Sequence, residues 1–222
     1  TNGLVNMNGF EDFAFRLHFH GGRVTTGAGT LGVARVIVNP TNVTATIDGN
    51  LRLHTTPETV FTVHDGPAVP DLAVNAVVST IFNDSGLIKE GEGQMDLHRA
   101  NLHTGRTLVE AGTLGVLNGN ALGAASQGTM VASGATVAFG VQVDTMLEPF
   151  TIAGSGVGGT AGALRTVGDV WINTDIALNA GAAIRTDGTN SRIQVNNISG
   201  TGPLTKLGSG RLVLRGNANN TY

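Results

Sequence analysis

The chain has 222 residues and a formal net charge of −3, with 13 basic and 16 acidic side chains. Cysteine is absent and only 13% of residues are charged, which excludes a disulfide scaffold and a charge-laced helical bundle. The 41% of hydrophobic residues is enough for a continuous core. The sequence shows no basic stripe suited to nucleic acid and no apolar run of about 20 residues that could span a bilayer.

Alternation of apolar and polar residues is the dominant local pattern, and it predicts short β-strands. Phe13, Phe15, Leu17 and Phe19 alternate with smaller or polar residues, which predicts that all four side chains lie on one face of a strand. Each predicted strand is bounded by Gly, Asn, Asp or Pro. The further strands are predicted, in chain order, at residues 43–47, 51–53, 60–63, 72–78, 94–98, 107–109, 113–117, 136–139, 170–173, 192–195 and 211–215.

Two pairs of segments repeat one another. Residues 198–214 share the pattern of residues 81–97 at an offset of 117, and residues 111–116 are identical to residues 28–33 at an offset of 83. Because the two offsets differ, the repeated units are coils of uneven length stacked as a solenoid rather than a rigid tandem array. We expect coils of about 20–25 residues, and roughly nine to eleven of them in the chain.

Within the repeated unit, Gly91 and Gly93 predict a sharp corner between two strands, because glycine permits positive φ and close backbone approach. Lys89 and its counterpart Lys206 precede this corner and are interpreted as solvated charges that blunt lateral strand pairing; ligand-binding or crosslinking sites are the alternative. The leucines are expected to fill the coil. The residues predicted to define the two copies are Leu87, Lys89, Gly91, Gly93, Leu97, Gly112 and Leu114 in the first, and Leu204, Lys206, Gly208, Gly210, Leu212 and Leu214 in the second.

Residues 86–97, Ala100-Asn101, Gly105 and 109–114 resemble one full autotransporter-associated β-strand repeat, or passenger-associated transport repeat. That pattern reads Gly-Leu-x-Lys-x-Gly-x-Gly-x-Leu-x-Leu, then Asn-x-Tyr-x-Gly, then Val-x-x-Gly-x-Leu. Residues 203–214 and 220–222 resemble its first half, and the copies depart from it at His103 and Pro203. The resemblance implies an all-β fold, a right-handed parallel β-helix (β-solenoid) of single-stranded coils, in the passenger of a secreted or surface-displayed bacterial protein.

We expect residues 1–222 to form a single β-helix segment, a fragment of a longer chain, with repeat units at 81–117 and 198–222. The predicted function is a structural stalk that aids export and display, with adhesion or self-association as further roles. The expected location is extracellular or on the bacterial cell surface, associated with the outer membrane. The expected partners are neighbouring coils, end-to-end copies, and a surface glycan or host or matrix ligand. No nucleic acid, membrane span, cofactor, metal or catalytic residue is expected.

The main alternatives involve polysaccharides. A lyase or hydrolase would need carboxylates gathered on an outer wall. The candidate acids have irregular spacing and are interpreted as solvated turn residues: Glu11, Asp12, Asp65, Asp71, Asp144 and Glu148. A glycan-binding module would use Trp171, which alternation places opposite Val170 and Ile172, either exposed or packed under a loop.

Two further motifs have structural interpretations. Residues 154–159 fit G-x-G-x-x-G, but no helix is predicted to begin at the last glycine, so we expect a flexible turn rather than a dinucleotide site. His18 and His20 lie two residues apart, and His98 and His103 flank a turn. Two imidazoles without a third ligand make a weak metal site, so we interpret all four as exposed polar positions.

Overall fold

The computed structural model describes residues 3–141, 143, 145–216 and 220–222, without the side chain of Thr145. This part of the chain forms 24 β-strands, one three-residue 3-10 turn at Val157–Gly159, and no α-helix. None of the described residues belongs to a helix that could cross a membrane. The strands are β1 (Leu4–Asn6), β2 (Asp12–Phe19), β3 (Arg23–Thr25), β4 (Leu31–Val38), β5 (Ala45–Asp48), β6 (Asn50–Leu53), β7 (Glu58–Val63), β8 (Leu72–Val74), β9 (Val77–Thr80), β10 (Gly86–Glu90), β11 (Gln94–Leu97), β12 (Thr107–Val109), β13 (Thr113–Val116), β14 (Thr129–Val131), β15 (Thr136–Phe139), β16 (Thr145–Met146), β17 (Phe150–Gly154), β18 (Leu164–Thr166), β19 (Asp169–Ile172), β20 (Ile176–Thr186), β21 (Arg192–Val195), β22 (Ile198–Gly200), β23 (Leu204–Leu207) and β24 (Arg211–Leu214).

The described strand pairs are all parallel, and paired residues lie one coil apart. The offset between paired residues runs from 19, between Leu4 and Arg23, to 28, between Glu58 and Gly86. The chain therefore winds into a β-solenoid of about nine turns, which confirms the predicted parallel β-helix. Its coils are uneven in length, as the two different repeat offsets require.

Each coil has three walls, named first, second and third in chain order. The first wall stacks β1, β3, β5, β8, β11, β13, β15, β18, the second half of β20, and β23. The second wall contains the first halves of β2 and β4, then β6, β9, β16, β19, β21 and β24. The third wall stacks the second halves of β2 and β4, then β7, β10, β12, β14, β17, the first half of β20, and β22.

The core is a set of columns made by inward side chains of successive coils. Burial of one leucine-sized side chain contributes about 1.5–3 kcal/mol, and here each such side chain is covered chiefly by its counterparts in the coils before and after. Stability is therefore built from contacts between neighbouring coils. One fully buried column in the first wall consists of Leu72, Met95, Leu114, Val137, Leu164 and Ile184.

The prediction that β2 keeps four large apolar side chains on one face is wrong. Phe13 and Phe15 are 45% and 67% exposed, whereas Phe19 is buried. The paired strand β4 shows why: Val33 and Val36 both point inward although they are three residues apart. Alternation changes phase where these long strands cross from the second wall to the third, so the phenylalanines before the corner face outward.

Candidate functional site: the repeat corner

Lys89 lies inside the solenoid, which corrects its interpretation as a solvated charge. Its side chain is fully buried, and it stacks in the third wall between Phe61 and Val109 of the neighbouring coils. Leu87 and Lys89 are two residues apart on β10 and therefore share the inward face. The lysine stem fills a core position, and only the ammonium group reaches the corner.

The ammonium group of Lys89 bonds to two successive coils. Nζ donates to the carbonyl oxygens of Glu90 at 3.1 Å and Gly91 at 2.7 Å in its own corner, and to that of Ala111 at 3.0 Å in the next coil. Burial lowers the pKa of Lys89 from 10.5 to about 8, although nearby carboxylates, Glu92 foremost, raise it. The lysine therefore joins coils through backbone carbonyls rather than through a surface ion pair.

Asp71 connects the same corner to the preceding coil. Its carboxylate accepts hydrogen bonds from the backbone N–H groups of Gly66 and Gln94, both at 2.9 Å. The side chain is buried, which corrects its interpretation as a solvated turn residue, and this burial raises its pKa although the two hydrogen bonds lower it. Three coils thus meet around Asp71, Lys89 and Ala111, a group that we call the corner clamp.

The corner requires glycine for two separate reasons. Gly91 has a φ of +79°, and a Cβ atom there would lie 2.3 Å from the carbonyl oxygen of Val63. A Cβ atom at Gly93 would lie 2.7 Å from atoms of the preceding coil, so this position is limited by space. In the second copy, Gly208 has a φ of +77°, and its Cβ would lie 2.2 Å from the carbonyl oxygen of Thr186.

Lys206 repeats part of this geometry and is half-buried rather than fully solvated. Its Nζ donates to the carbonyl oxygens of Leu207 and Gly208, the counterparts of the two carbonyls in the first corner. However, Lys206 stacks on Ile184 in the first wall, whereas Lys89 lies in the third wall. The two copies therefore occupy different corners of the coil, because their 117-residue offset is not a whole number of coils.

Asn101 is a second residue of the repeat that joins three coils. Its Oδ1 accepts a hydrogen bond from the N–H of Val78 in the preceding coil at 2.8 Å, and its Nδ2 donates to the carbonyl of Ala121 in the following coil at 2.7 Å. In the second copy, Asn220 accepts a hydrogen bond from the N–H of Ile198 at 2.7 Å. The sequence prediction did not single out these asparagines, although their shared place in the repeat pattern was the available signal.

The other candidate acids have different environments. Glu148 is buried and accepts a hydrogen bond from the Thr129 hydroxyl at 2.7 Å, which corrects its interpretation as a solvated turn residue. Burial raises the pKa of Glu148 to about 7, although the bond from Thr129 lowers it. Asp144 lies outside the described residues. The three remaining candidate acids are exposed, as predicted: Glu11, Asp12 and Asp65.

His103 is buried, contrary to the prediction of an exposed position. Its Nε2 lies 3.1 Å from the Thr107 hydroxyl, and burial lowers the pKa of His103 to about 4. The other three candidate histidines are exposed: His18, His20 and His98. Among the described residues, no group of three or more His, Asp or Glu could hold a metal ion.

The glycine-rich segment 154–159 ends β17 and forms the 3-10 turn, and no α-helix begins there. An open groove of about 550 Å³ runs beside it and is flanked by Glu92 and Glu110. A dinucleotide site needs backbone N–H groups at a helix N-terminus aimed at the pyrophosphate. The two carboxylates carry the same negative charge as a phosphate and would repel it, so this geometry is unsuited to binding phosphate.

Trp171 lies on the outer surface of the second wall and is 38% exposed. Its neighbours Val170 and Ile172 are buried, as the alternation predicted. The indole is therefore an outward-facing aromatic group on a strand, accessible to solvent.

Comparison with known protein families matches residues 87–116 and 204–222 to the passenger-associated-transport-repeat family. The chain carries two passenger-associated transport repeats. These matches support an autotransporter-associated repeat protein, as the resemblance implied. In both repeats the matched residues include the lysine and glycines of the corner and the following leucines. No curated protein and no solved structure matches the chain.

Proposed function

We propose that this β-solenoid is a structural stalk in the passenger of a secreted or surface-displayed bacterial protein, where it aids export and display. The observation that supports the proposal most directly is the corner clamp, because the bonds of Lys89 and Asp71 reach the coils after and before the repeat. The transport-repeat matches and the solenoid fold support the same role. We place the stalk outside the cell or at its surface.

Stacking of this kind can favour outward movement without a nucleotide. Each coil that reaches the outside docks on a folded neighbour, buries its inward side chains and supplies bonding partners to the repeat. Asn101 illustrates the gain, because both of its side-chain hydrogen bonds go to other coils. A docked coil cannot return through a narrow passage without losing these contacts, so folding outside biases transport in one direction.

We further propose that the segment is not an enzyme and that its partners are neighbouring coils of a longer chain or end-to-end copies. Two of the candidate acids, Asp71 and Glu148, are bonded to the fold itself rather than directed at a substrate. The first coil supports the association, because Leu4 and Val5 of β1 are 62% and 57% exposed. A strand with one unpaired edge and exposed apolar side chains favours pairing with another chain.

The export role can be tested by weakening the stack while leaving synthesis unchanged. In the complete reading frame, with an epitope tag, we expect Asn101→Ala to lower the fraction of protein accessible at the surface, because two buried backbone groups lose their partners at about 1–3 kcal/mol each. Asn118→Ala is the matched control, because among the described residues the Asn118 side chain bonds only to the N–H of nearby, exposed Asn120. An Asn101→Ala protein that melts earlier but is displayed as fully as the control would overturn the role.

A further inference from the structure

A group of arginines surrounds the single tryptophan of the chain on the outer surface of the second wall. In the strand register, Arg192 pairs with Arg211, and Trp171 pairs with Gln194. These side chains lie on adjacent parallel strands, and Arg215 follows directly after β24. We call this group the arginine–tryptophan face: Trp171, Arg192, Gln194, Arg211 and Arg215.

The indole ring of Trp171 is held in place by one hydrogen bond and by two cation–π contacts. Gln194 is buried, and in the amide orientation that satisfies its neighbours its oxygen accepts hydrogen bonds from Trp171 Nε1 at 2.7 Å and Arg192 Nε at 3.1 Å. The guanidinium carbons of Arg192 and Arg215 lie 5.6 and 5.4 Å from the ring centroid. Such cation–π contacts restrain a guanidinium group while leaving N–H donors at its edge for an acceptor.

The charge of this face is opposite to that of the chain as a whole. Arg192 forms an ion pair with Asp169 at 3.1 Å, but neither Arg211 nor Arg215 has a carboxylate partner within the described ranges, and both are exposed. Six arginines on other surfaces lie within 4 Å of a carboxylate: Arg23, Arg35, Arg52, Arg106, Arg165 and Arg185. The face therefore combines unneutralised positive charge with an exposed aromatic ring.

We propose that the arginine–tryptophan face binds an acidic polysaccharide. Carboxylate or sulfate groups of the sugar accept charge-assisted hydrogen bonds from Arg211 and Arg215, because the forked N–H donors of a guanidinium group match a pair of oxygen atoms on either anion. The apolar C–H face of a pyranose ring packs on the exposed part of Trp171. This binding role goes beyond the scaffolding function and does not rest on it, since a stalk needs no ligand on its outer walls.

The tryptophan itself reports binding, because the chain contains only one. Titration of the purified protein with polygalacturonate, which is carboxylated, or dextran sulfate, which is sulfated, should change the emission of Trp171. Whichever of the two binds identifies the anionic group. Uncharged dextran and duplex DNA are the comparison probes. Binding of neither acidic polysaccharide, or binding of DNA as tightly as either, would overturn the proposal, since the latter indicates general attraction of polyanions.

Variants then locate the site. The double variant Arg211→Gln with Arg215→Gln should raise the Kd for the acidic polysaccharide about tenfold or more, because charge-assisted hydrogen bonds are lost. Arg99→Gln is the control, because Arg99 is also exposed and has no ion pair in the part of the chain that the structure describes. Trp171→Phe should retain more affinity than Trp171→Ala, measured with immobilised polysaccharide. Equal affinity of the double variant and the control would place binding elsewhere and refute the assignment.

Discussion

Measuring the free energy of unfolding at alkaline pH tests the role of Lys89, because few other side chains of this protein change their protonation in that pH range. The sequence contains two lysines, Lys89 and Lys206, one tyrosine and no cysteine. Burial lowers the pKa of Lys89 to about 8 in the folded protein, whereas the ordinary value of 10.5 applies to the unfolded chain. Between these two pH values the unfolded chain therefore holds one more proton at this position than the folded protein does.

The sign and size of the effect follow from this difference. Stability rises with pH wherever the unfolded state binds more protons, so the free energy of unfolding should increase between pH 8 and pH 10.5. The interval from 8 to 10.5, at about 1.36 kcal/mol per pH unit, corresponds to about 3 kcal/mol. Below pH 8, Lys89 is protonated in both states and contributes no slope.

The assay is urea unfolding at several pH values from 7.5 to 10.5, followed by circular dichroism. Lys89→Met keeps an unbranched apolar stem in the core and removes the titrating group, so its stability should lack this rise. Lys206→Met is the matched control and should retain the rise that Lys89 causes. A wild-type profile that is flat or falls with pH, or a Lys89→Met profile as steep as the wild type, would refute the reasoning.

Two further predictions concern the glycine corner and the buried acid. Gly91→Ala should lower the free energy of unfolding by about 2–4 kcal/mol, because φ is +79° and the new Cβ would lie 2.3 Å from the Val63 oxygen. Gly134→Ala has a similar φ of +91° but open space, so it should cost only about 1–2 kcal/mol; equal losses by thermal unfolding would contradict the steric argument. Glu148 has a pKa of about 7 when folded and 4.5 ordinarily, so its contribution to stability should fall by up to about 3 kcal/mol from pH 4.5 to 7, while His103, whose pKa burial lowers from 6.5 to about 4, contributes a rise over a similar range that is common to wild type and variant. Glu148→Gln keeps an acceptor for Thr129 and should abolish this fall in denaturant titrations, and an unchanged pH profile in that variant would count against it.

The solenoid fold could be predicted from the sequence because each coil needs the same kinds of residue at its strands and corners. Inward apolar residues two apart and glycine at the corner identify a strand and a turn without any long-range information. The longest strand, β20 (Ile176–Thr186), was nevertheless absent from the predicted strands. Its Ala, Asn and Gly residues have low β-propensity, and the extended conformation comes from hydrogen bonding to strands of the coils on both sides.

The corner clamp was only partly predictable. Alternation from Leu87 already indicated that Lys89 points inward, and the assumption that a charged side chain stays outside led to the wrong interpretation. Its partner Ala111 was beyond reach of sequence reasoning, because the lengths of the intervening turns decide which carbonyl of the next coil faces the ammonium group. The same holds for Asp71 and Glu148, whose burial depends on neighbouring coils.

The placement of Lys89 in the third wall and Lys206 in the first has a consequence for how such a rod can evolve. A repeat determines one corner and does not depend on which of the three edges it occupies. A duplication or deletion therefore need not preserve a whole number of coils for the inserted unit to fold. Side chains attached to successive repeats then point in different directions around the long axis, so lengthening the rod also distributes its surface features around it.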